Sequence, residues 1–258
     1  MPKTGEKKRI KASKRTLQIL DTLMEVGGAT GTELAEATGL PKSTVHYHLK
    51  TLEDFEYVVN ASGEYKPALK FLTIGNGRRA GMDLYRVAKP QVDRLAKETG
   101  EMCVLMCEEY GYGFYLYSNS GERGVDFEAT GSRKTLHDNA LGKAILAYLP
   151  QERVDSIIET RGLLENTRHT VTDRQRLMKQ LDRIREQGVA FDREEQLEGL
   201  CCVAAPITRY VDKERQDVLG SISLAGPASR MEGEYFEDEL ARLVSDAANM
   251  IELEIQDY

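Results

Sequence analysis

The stretch Thr32-Glu33-Leu34-Ala35-Glu36-Ala37-Thr38-Gly39-Leu40-Pro41-Lys42-Ser43-Thr44-Val45-His46-Tyr47-His48-Leu49-Lys50-Thr51-Leu52 decides how the chain is read. It contains two short helical segments with a break between them. The first, Thr32 to Thr38, opens on polar residues and stops at Gly39, a residue that accepts the left-handed backbone of a helix end. Pro41 opens the second, where its missing N–H and fixed φ are tolerated. Val45, Leu49 and Leu52 then mark one buried face, running to about Phe55. Two short helices joined through Gly39-Leu40 make a helix-turn-helix.

The flanks complete the unit. Upstream, Leu17, Leu20, Leu23 and Met24 recur at helical spacing from Arg15 to Val26, and Gly27-Gly28 ends the pattern. Downstream, Tyr57-Val58-Val59 and Glu64-Tyr65-Lys66 flank Asn60-Ala61-Ser62-Gly63, the pattern of a hairpin. Three helices and a hairpin predict a winged helix-turn-helix over residues 15–75. In its third helix the inward set Val45, Leu49 and Leu52 turns Ser43, His46, Tyr47 and Lys50 outward as one strip, with Lys42 and Thr44 near the amino end. Hydroxyl, imidazole and phenol groups reach base edges or phosphates, lysine neutralises phosphate, and the helix N-terminus adds backbone donors. Those six residues are the candidate DNA-binding set. His48 lies nearer the buried side and is expected to pack in the core.

Charge distribution points the same way. The chain has 258 residues, 30% of them charged, and a formal charge of -7. Residues 1–80 carry 13 Lys+Arg against 9 Asp+Glu, while the remainder carries 22 against 33. The front is basic and the back acidic, so a polyanion is held only at the front. Lys3, Lys7, Lys8, Arg9, Lys11, Lys14 and Arg15 face only Glu6 and predict a disordered basic arm over residues 1–14. No run is long and apolar enough for a membrane helix, and no apolar segment follows the basic start as a signal peptide requires. A cytoplasmic location is expected. Cys103, Cys107, Cys201 and Cys202 are too few for a disulfide scaffold and lack metal-binding spacing, so buried thiols are expected, with no metal and no cofactor.

Two separate sets of residues carry a family resemblance. Leu17-Gln18-Ile19-Leu20, Glu33-Leu34-Ala35, Gly39 to His46 and Leu49 to Glu53 closely resemble the DNA-binding half of IclR-type transcription regulators. Leu136-His137, Gly142 to Ala147, Gly188-Val189-Ala190, Asp192, Glu194-Glu195, Gly199 to Pro206 and Gly226-Pro227 resemble that family's effector-binding half. The resemblance covers roughly residues 14–255. It implies a linker helix that joins the domains and helps pair subunits, and a GAF-like (profilin-like) sensor domain. It departs at Tyr47, where the family commonly has Arg.

Residues 76–99 read as that linker helix, with Leu84, Val87, Ala88, Val92 and Leu95 forming an apolar stripe and Pro90 predicting a late start or a bend near Lys89. Gly75-Asn76-Gly77-Arg78-Arg79-Ala80 matches a dinucleotide-loop pattern only by accident, since it follows a wing rather than a strand of a βαβ unit. Hinge glycines are the expectation there. Over residues 100–258 strands are expected at Met102 to Cys107, Phe114 to Tyr117 about a Gly111-Tyr112-Gly113 turn, Val125 to Phe127, Val189 to Phe191, Cys202 to Ile207 and Val218 to Leu224. Helices are expected at Asn139 to Leu149, Gln151 to Thr160, Thr172 to Gln187 and from Phe236 to Ile251. The whole is an α+β class with helices at one side of an antiparallel sheet.

No Ser/His/Asp elbow, metalloprotease, deaminase or phosphate-loop signature occurs, so no catalytic residue is assigned. The alternative is a cysteine-dependent enzyme using the GAF-like pocket, such as a small-molecule sulfoxide reductase, with Cys201-Cys202 as a reactive pair. By the resemblance, an effector sits against Ala140, Leu141, Asp192, Cys202 and Ser223. Ala225 stands where a second Ser is common, which removes one hydroxyl partner. Arg133 and Lys134 either greet an anionic effector or belong to a solvated loop. The expected function is a metabolite-responsive, sequence-specific DNA-binding transcription regulator of a catabolic operon, with no membrane partner. Its expected partners are double-stranded DNA bearing a near-palindromic operator, a small-molecule effector such as an organic or sugar acid, and further copies of itself as a homodimer or dimer of dimers.

Overall fold

The computed structural model describes residues 10–125, 130–211 and 216–256. The chain divides into two compact units that meet between Arg78 and Arg79.

The first unit contains α1 (Lys11–Val26), β1 (Ala29–Thr30), α2 (Gly31–Thr38), α3 (Lys42–Asp54), β2 (Val58–Ala61) and β3 (Glu64–Pro67), followed by α4 (Lys70–Ala80), most of which belongs to it. Thr30 caps α2 reciprocally with Glu33: the Glu33 N–H donates to the Thr30 hydroxyl at 3.3 Å, and the Thr30 N–H donates to the Glu33 carboxylate at 2.8 Å. Gly39 follows in the left-handed region. Ile19, Leu23, Leu34, Val45, Leu49, Leu52 and Val58 form the core. The hairpin turns through Ser62 and Gly63, both at positive φ, as a two-residue turn matched to strand twist demands. β3 lies between β1 and β2, so a three-stranded sheet edges the helices. The hairpin and the three helices thus stand as a winged helix-turn-helix.

Three expectations change here. Lys11 and Lys14 lie in α1, so the helix starts four residues before Arg15, while Lys3, Lys7, Lys8 and Arg9 fall outside the described residues. Pro41 precedes α3 as its N-cap and does not occupy its first turn. Gly75 and Gly77 are inside α4, where the low helical propensity of glycine is overridden; no hinge is formed at them.

The second unit holds α5 (Asp83–Thr99), β4 (Met102–Glu109), β5 (Tyr112–Ser120), β6 (Arg133–Lys134), α6 (Ala140–Tyr148), α7 (Gln151–Arg161), α8 (Arg174–Gln187), β7 (Ala190–Arg193), β8 (Leu200–Tyr210), β9 (Gln216–Pro227) and α9 (Ala241–Gln256), with a π-helical segment at Tyr235–Leu240 leading into the last. The strands form one antiparallel sheet in the order β6-β5-β4-β9-β8-β7. β4 and β5 turn through Tyr110 and Gly111, both at positive φ, one residue earlier than expected. Val125 is not in a strand, and residues 126–127 fall outside the described ones.

Alternation along the strands fills two cores. Cys103, Leu105, Val203, Ala205, Ile222 and Leu224 face α5 and α9, while Val104, Met106, Cys202, Ala204 and Ala225 face α6 and α8. Helices therefore cover both faces, and the expectation of helices at one side is corrected to three layers. The α5 stripe is corrected as well. Leu84, Val87, Ala88, Val92 and Leu95 are buried against α9 and the sheet, which leaves them unable to pair subunits. Pro90 is accommodated within a helix assigned continuously from Asp83 to Thr99.

Candidate functional site

On α3, Val45, Leu49 and Leu52 are buried, and Lys42, Ser43, His46, Tyr47 and Lys50 are exposed, with Thr44 half-buried. The strip is polar and contiguous because residues three and four apart share a side of a helix. Tyr47 is 74% exposed, with its ring edge-on to His46 at 6.1 Å between centroids. His48 does not join the strip. Its Nδ1 lies 2.8 Å from the Thr16 hydroxyl, which ties α3 to α1. Lys50 Nζ lies 3.3 Å from Asp54 and 3.5 Å from Glu53, and both carboxylates hold its ammonium above the usual lysine range, Asp54 foremost. Sequence reasoning placed these six side chains on one face and missed the acidic pair at its lower end, which an i, i+3 and i, i+4 count from Lys50 would have found.

In the second unit a small cavity of about 40 Å³ lies between β4, β8, β9 and the start of α6. Four of the five expected effector residues, Ala140, Leu141, Cys202 and Ser223, line it. Strand register explains the meeting: Cys202 stands opposite Ala225, Ala225 opposite Met102, and Ser223 opposite Val104. Asn139 caps α6 by accepting from the Gly142 N–H at 2.8 Å, which turns the first residues of the helix toward the cavity. Gly142 allows that close approach, since a Cβ there would come within 2.3 Å of the Leu136 carbonyl oxygen. Tyr115, Asn139 and Gln196 also line the cavity and were not anticipated. Gln196 Nε2 is buried with no hydrogen-bond partner among the described residues, an unused donor on a residue that lines the cavity.

Asp192, the fifth expected residue, does not line the cavity. It stands beside Cys202 in register, fully buried, and its Oδ1 accepts from the Glu195 N–H at 2.7 Å. Its other oxygen has no partner among the described residues. Burial raises its carboxyl to about 7, although the nearby Lys143 ammonium opposes the shift. Lys143, also buried, is ion-paired to Glu195. Two carboxylates and one ammonium thus sit behind the cavity wall. Arg133 and Lys134 form β6 at the sheet edge, and Arg133 stacks on Tyr112, at 4.4 Å from its centroid; neither lines the cavity.

The cysteines are arranged against shared chemistry. Cys201 and Cys202 face opposite sides of the sheet, Cys201 toward α9 and Cys202 toward α6. Burial pushes both thiols above their usual value, Cys202 well above, with Asp192 adding to the effect. A raised thiol is the reverse of an activated nucleophile.

Two family descriptions match the chain: "IclR helix-turn-helix domain" over residues 13–61 and "Bacterial transcriptional regulator IclR C-terminal" over residues 79–253. The chain is 31% identical to a protein of Halobacterium salinarum named "Probable HTH-type transcriptional regulator ArcR", over 98% of this chain and 96% of that one. It is 32% identical to the HTH-type transcriptional repressor AllR of Salmonella typhi, over 95% of this chain and 89% of that one. Among solved structures, the Thermotoga maritima IclR superposes with a TM-score of 0.73 at 24% identity, covering 96% of this chain and 99% of that one. An IclR homologue of Microbacterium hydrocarbonoxydans complexed with 4-hydroxybenzoate superposes with a TM-score of 0.79 at 19% identity, covering 96% of this chain and all of that one. At such identities the superpositions speak for the fold.

Proposed function

Because the chain belongs to the IclR family of transcriptional regulators, a DNA-binding head joined to an effector-binding domain, we propose that it controls a catabolic operon in the cytoplasm by reading an operator with α3 and a small metabolite with the Ser223 cavity. The observation that carries the reading is the division of α3: its apolar side is consumed by the core, and Lys42, Ser43, His46, Tyr47 and Lys50 are left exposed with Thr44 half-buried beside them. A helix presenting that strip into the major groove supplies hydrogen-bond donors and acceptors for base edges, with Lys42 and Lys50 on phosphates. The Ser62-Gly63 wing lies within the same compact unit and is the hairpin element of the head that would approach an adjacent phosphate.

One head contacts too few base pairs for an operator search, so the protein acts as a homodimer or dimer of dimers on a near-palindromic site. Pairing falls to apolar side chains that the folded units leave exposed, Leu17, Met24 and Val26 on α1 and Leu72 and Ile74 on α4. The effector enters at the amino end of α6. A void of about 40 Å³ holds little more than one water, so a metabolite must part Leu200 and Gln196 from the α6 start. The ligand then favours an open arrangement over the closed one by its difference in affinity for the two. An organic or sugar acid would rely on the α6 N-terminal N–H groups for its carboxylate, since no cation lines the cavity among the described residues.

Mobility shift of the protein against its own upstream region, followed by genome-wide mapping of bound sites, tests this reading. Specific shifts that respond to metabolites of the neighbouring pathway are the expected result. Absence of any specific duplex, or operator affinity indifferent to a metabolite shown to bind, would refute it.

A further inference from the structure

A second cavity, of about 360 Å³, opens on the far side of the Lys143–Glu195 pair and shares no lining residue with the first. One wall is α8. Arg176, Gln180, Arg183 and Gln187 follow spacings of four, three and four, so they stand on one side of that helix. The opposite wall is β7 with Phe191 and Arg193, and the floor is the buried Lys143–Glu195 pair.

Its charges are only partly paired. Arg174 and Arg185, on the same helix, are ion-paired with Asp155 and Asp182, and Arg193 with Glu237. Arg176 and Arg183 have no such partner among the described residues, although the chain beyond residue 80 carries an excess of carboxylates. Two guanidinium groups lining one concavity favour an anion held between them. The floor supplies a second recognition element. Glu195 is 6% exposed, its Oε1 holds Lys143, and its Oε2 is buried with no hydrogen-bond partner among the described residues. An acceptor left in that state calls for a donor. The volume lies at the lower end of small-molecule sites, which run from roughly 300 to 1,000 Å³.

We propose that the cleft between α8 and β7 is a second small-molecule site, taking a compact anion that also carries a hydroxyl group. The anion lies between Arg176 and Arg183, and the hydroxyl donates to Glu195 Oε2. A phosphate ester and a hydroxylated carboxylate share this chemistry. The site is independent of the operator and of the first cavity, so it stands or falls separately from the regulatory reading.

The test is isothermal titration calorimetry of the full chain at low salt with glycerol 3-phosphate, tartrate, inorganic phosphate and glycerol as probes, on wild type and on the double variant R176A/R183A. Both arginines are exposed and unpaired, so the variant keeps its core. The expected result is binding of at least one hydroxylated anion ten-fold or more tighter than inorganic phosphate, no binding of glycerol, and a loss of ten-fold or more in the double variant. Which of the two anions binds identifies the headgroup as phosphate or carboxylate. Binding undiminished in the double variant would overturn the proposal, as would inorganic phosphate binding equally well, or no heat from either hydroxylated anion at millimolar concentration. A change in sedimentation of R176A/R183A without any ligand binding would show that the cleft is covered by protein instead, and would overturn it too.

Discussion

Lys50 and Asp54 face each other across one turn of α3, Nζ to Oδ1 3.3 Å, so the cation best placed for a phosphate is already engaged by a carboxylate of its own helix. DNA must compete for it, and the competition makes opposite predictions for the two partners. Lys50→Ala should weaken operator binding and lower the salt slope by about 0.9, the value for one lost phosphate contact. Asp54→Asn should strengthen binding severalfold and leave the slope no shallower. Anisotropy titrations with operator duplex at several salt concentrations measure both. A slope that does not move in Lys50→Ala would remove Lys50 from the interface.

Gln196 and Tyr115 are two of the polar residues lining the first cavity, joined by a long contact of 3.4 Å from the Tyr115 hydroxyl to the Gln196 Oε1. Replacing both, as Tyr115→Phe with Gln196→Leu, removes a poorly paired donor and acceptor together, which costs little stability, about 1 kcal/mol or less. The variant should keep its melting temperature and operator affinity and lose its response to the effector. A retained response would place the effector elsewhere.

Lys143 is almost completely buried, and its ammonium faces Glu195 with Asp192 nearby. Lys143→Met leaves the carboxylates uncompensated and should cost about 3–5 kcal/mol. The double variant Lys143→Met with Glu195→Leu should recover much of that loss, because the pair's desolvation disappears with its attraction. Urea unfolding of the two variants beside wild type gives the comparison. Equal destabilisation in single and double variants would mean the pair is not coupled.

Asp192 carries a pH signature. Its carboxyl is raised by burial to about 7 from 3.8, so between those values the folded chain holds a proton that the unfolded chain has released. Stability from this group is complete below about pH 4, falls as pH rises through about 7, and stays level above. Asp192→Asn lacks the titration. The melting temperature of the variant minus that of wild type should therefore climb from pH 4 to pH 7 and then stay flat. A difference independent of pH would show that the buried carboxyl does not retain its proton.

The helix-turn-helix was legible because its signals are local: Gly39 ends one helix, Pro41 precedes the next, and the 45, 49, 52 spacing assigns the faces. The α5 stripe was equally visible, but amphipathicity reports only that a helix buries one side and does not name the partner. The stripe turned out to be internal. Two-residue strands such as β1 and β6 carry too few residues to show a period, and α4 was hidden by Gly75 and Gly77. At the first cavity, Ala140, Leu141, Cys202 and Ser223 came from the family resemblance and meet through strand register. Tyr115 and Gln196 were missed because the contacts that gather them are 81 residues apart along the chain. The charge behind the wall was missed for a related reason. Nothing near Lys143 in sequence shows that its counter-ion is Glu195.

The six-stranded sheet begins at β6, two residues long and made of Arg133 and Lys134, and finishes at β7, four residues ending on Arg193. Both borders are short, and the faces between them are roofed by helices. Among the described residues, neither border strand is long enough to give a neighbouring molecule a row of open amides on which to add a strand. Crowding many copies together, as overexpression does, should not drive this domain into fibrous aggregates, and the sheet can keep its register while α6 shifts above it.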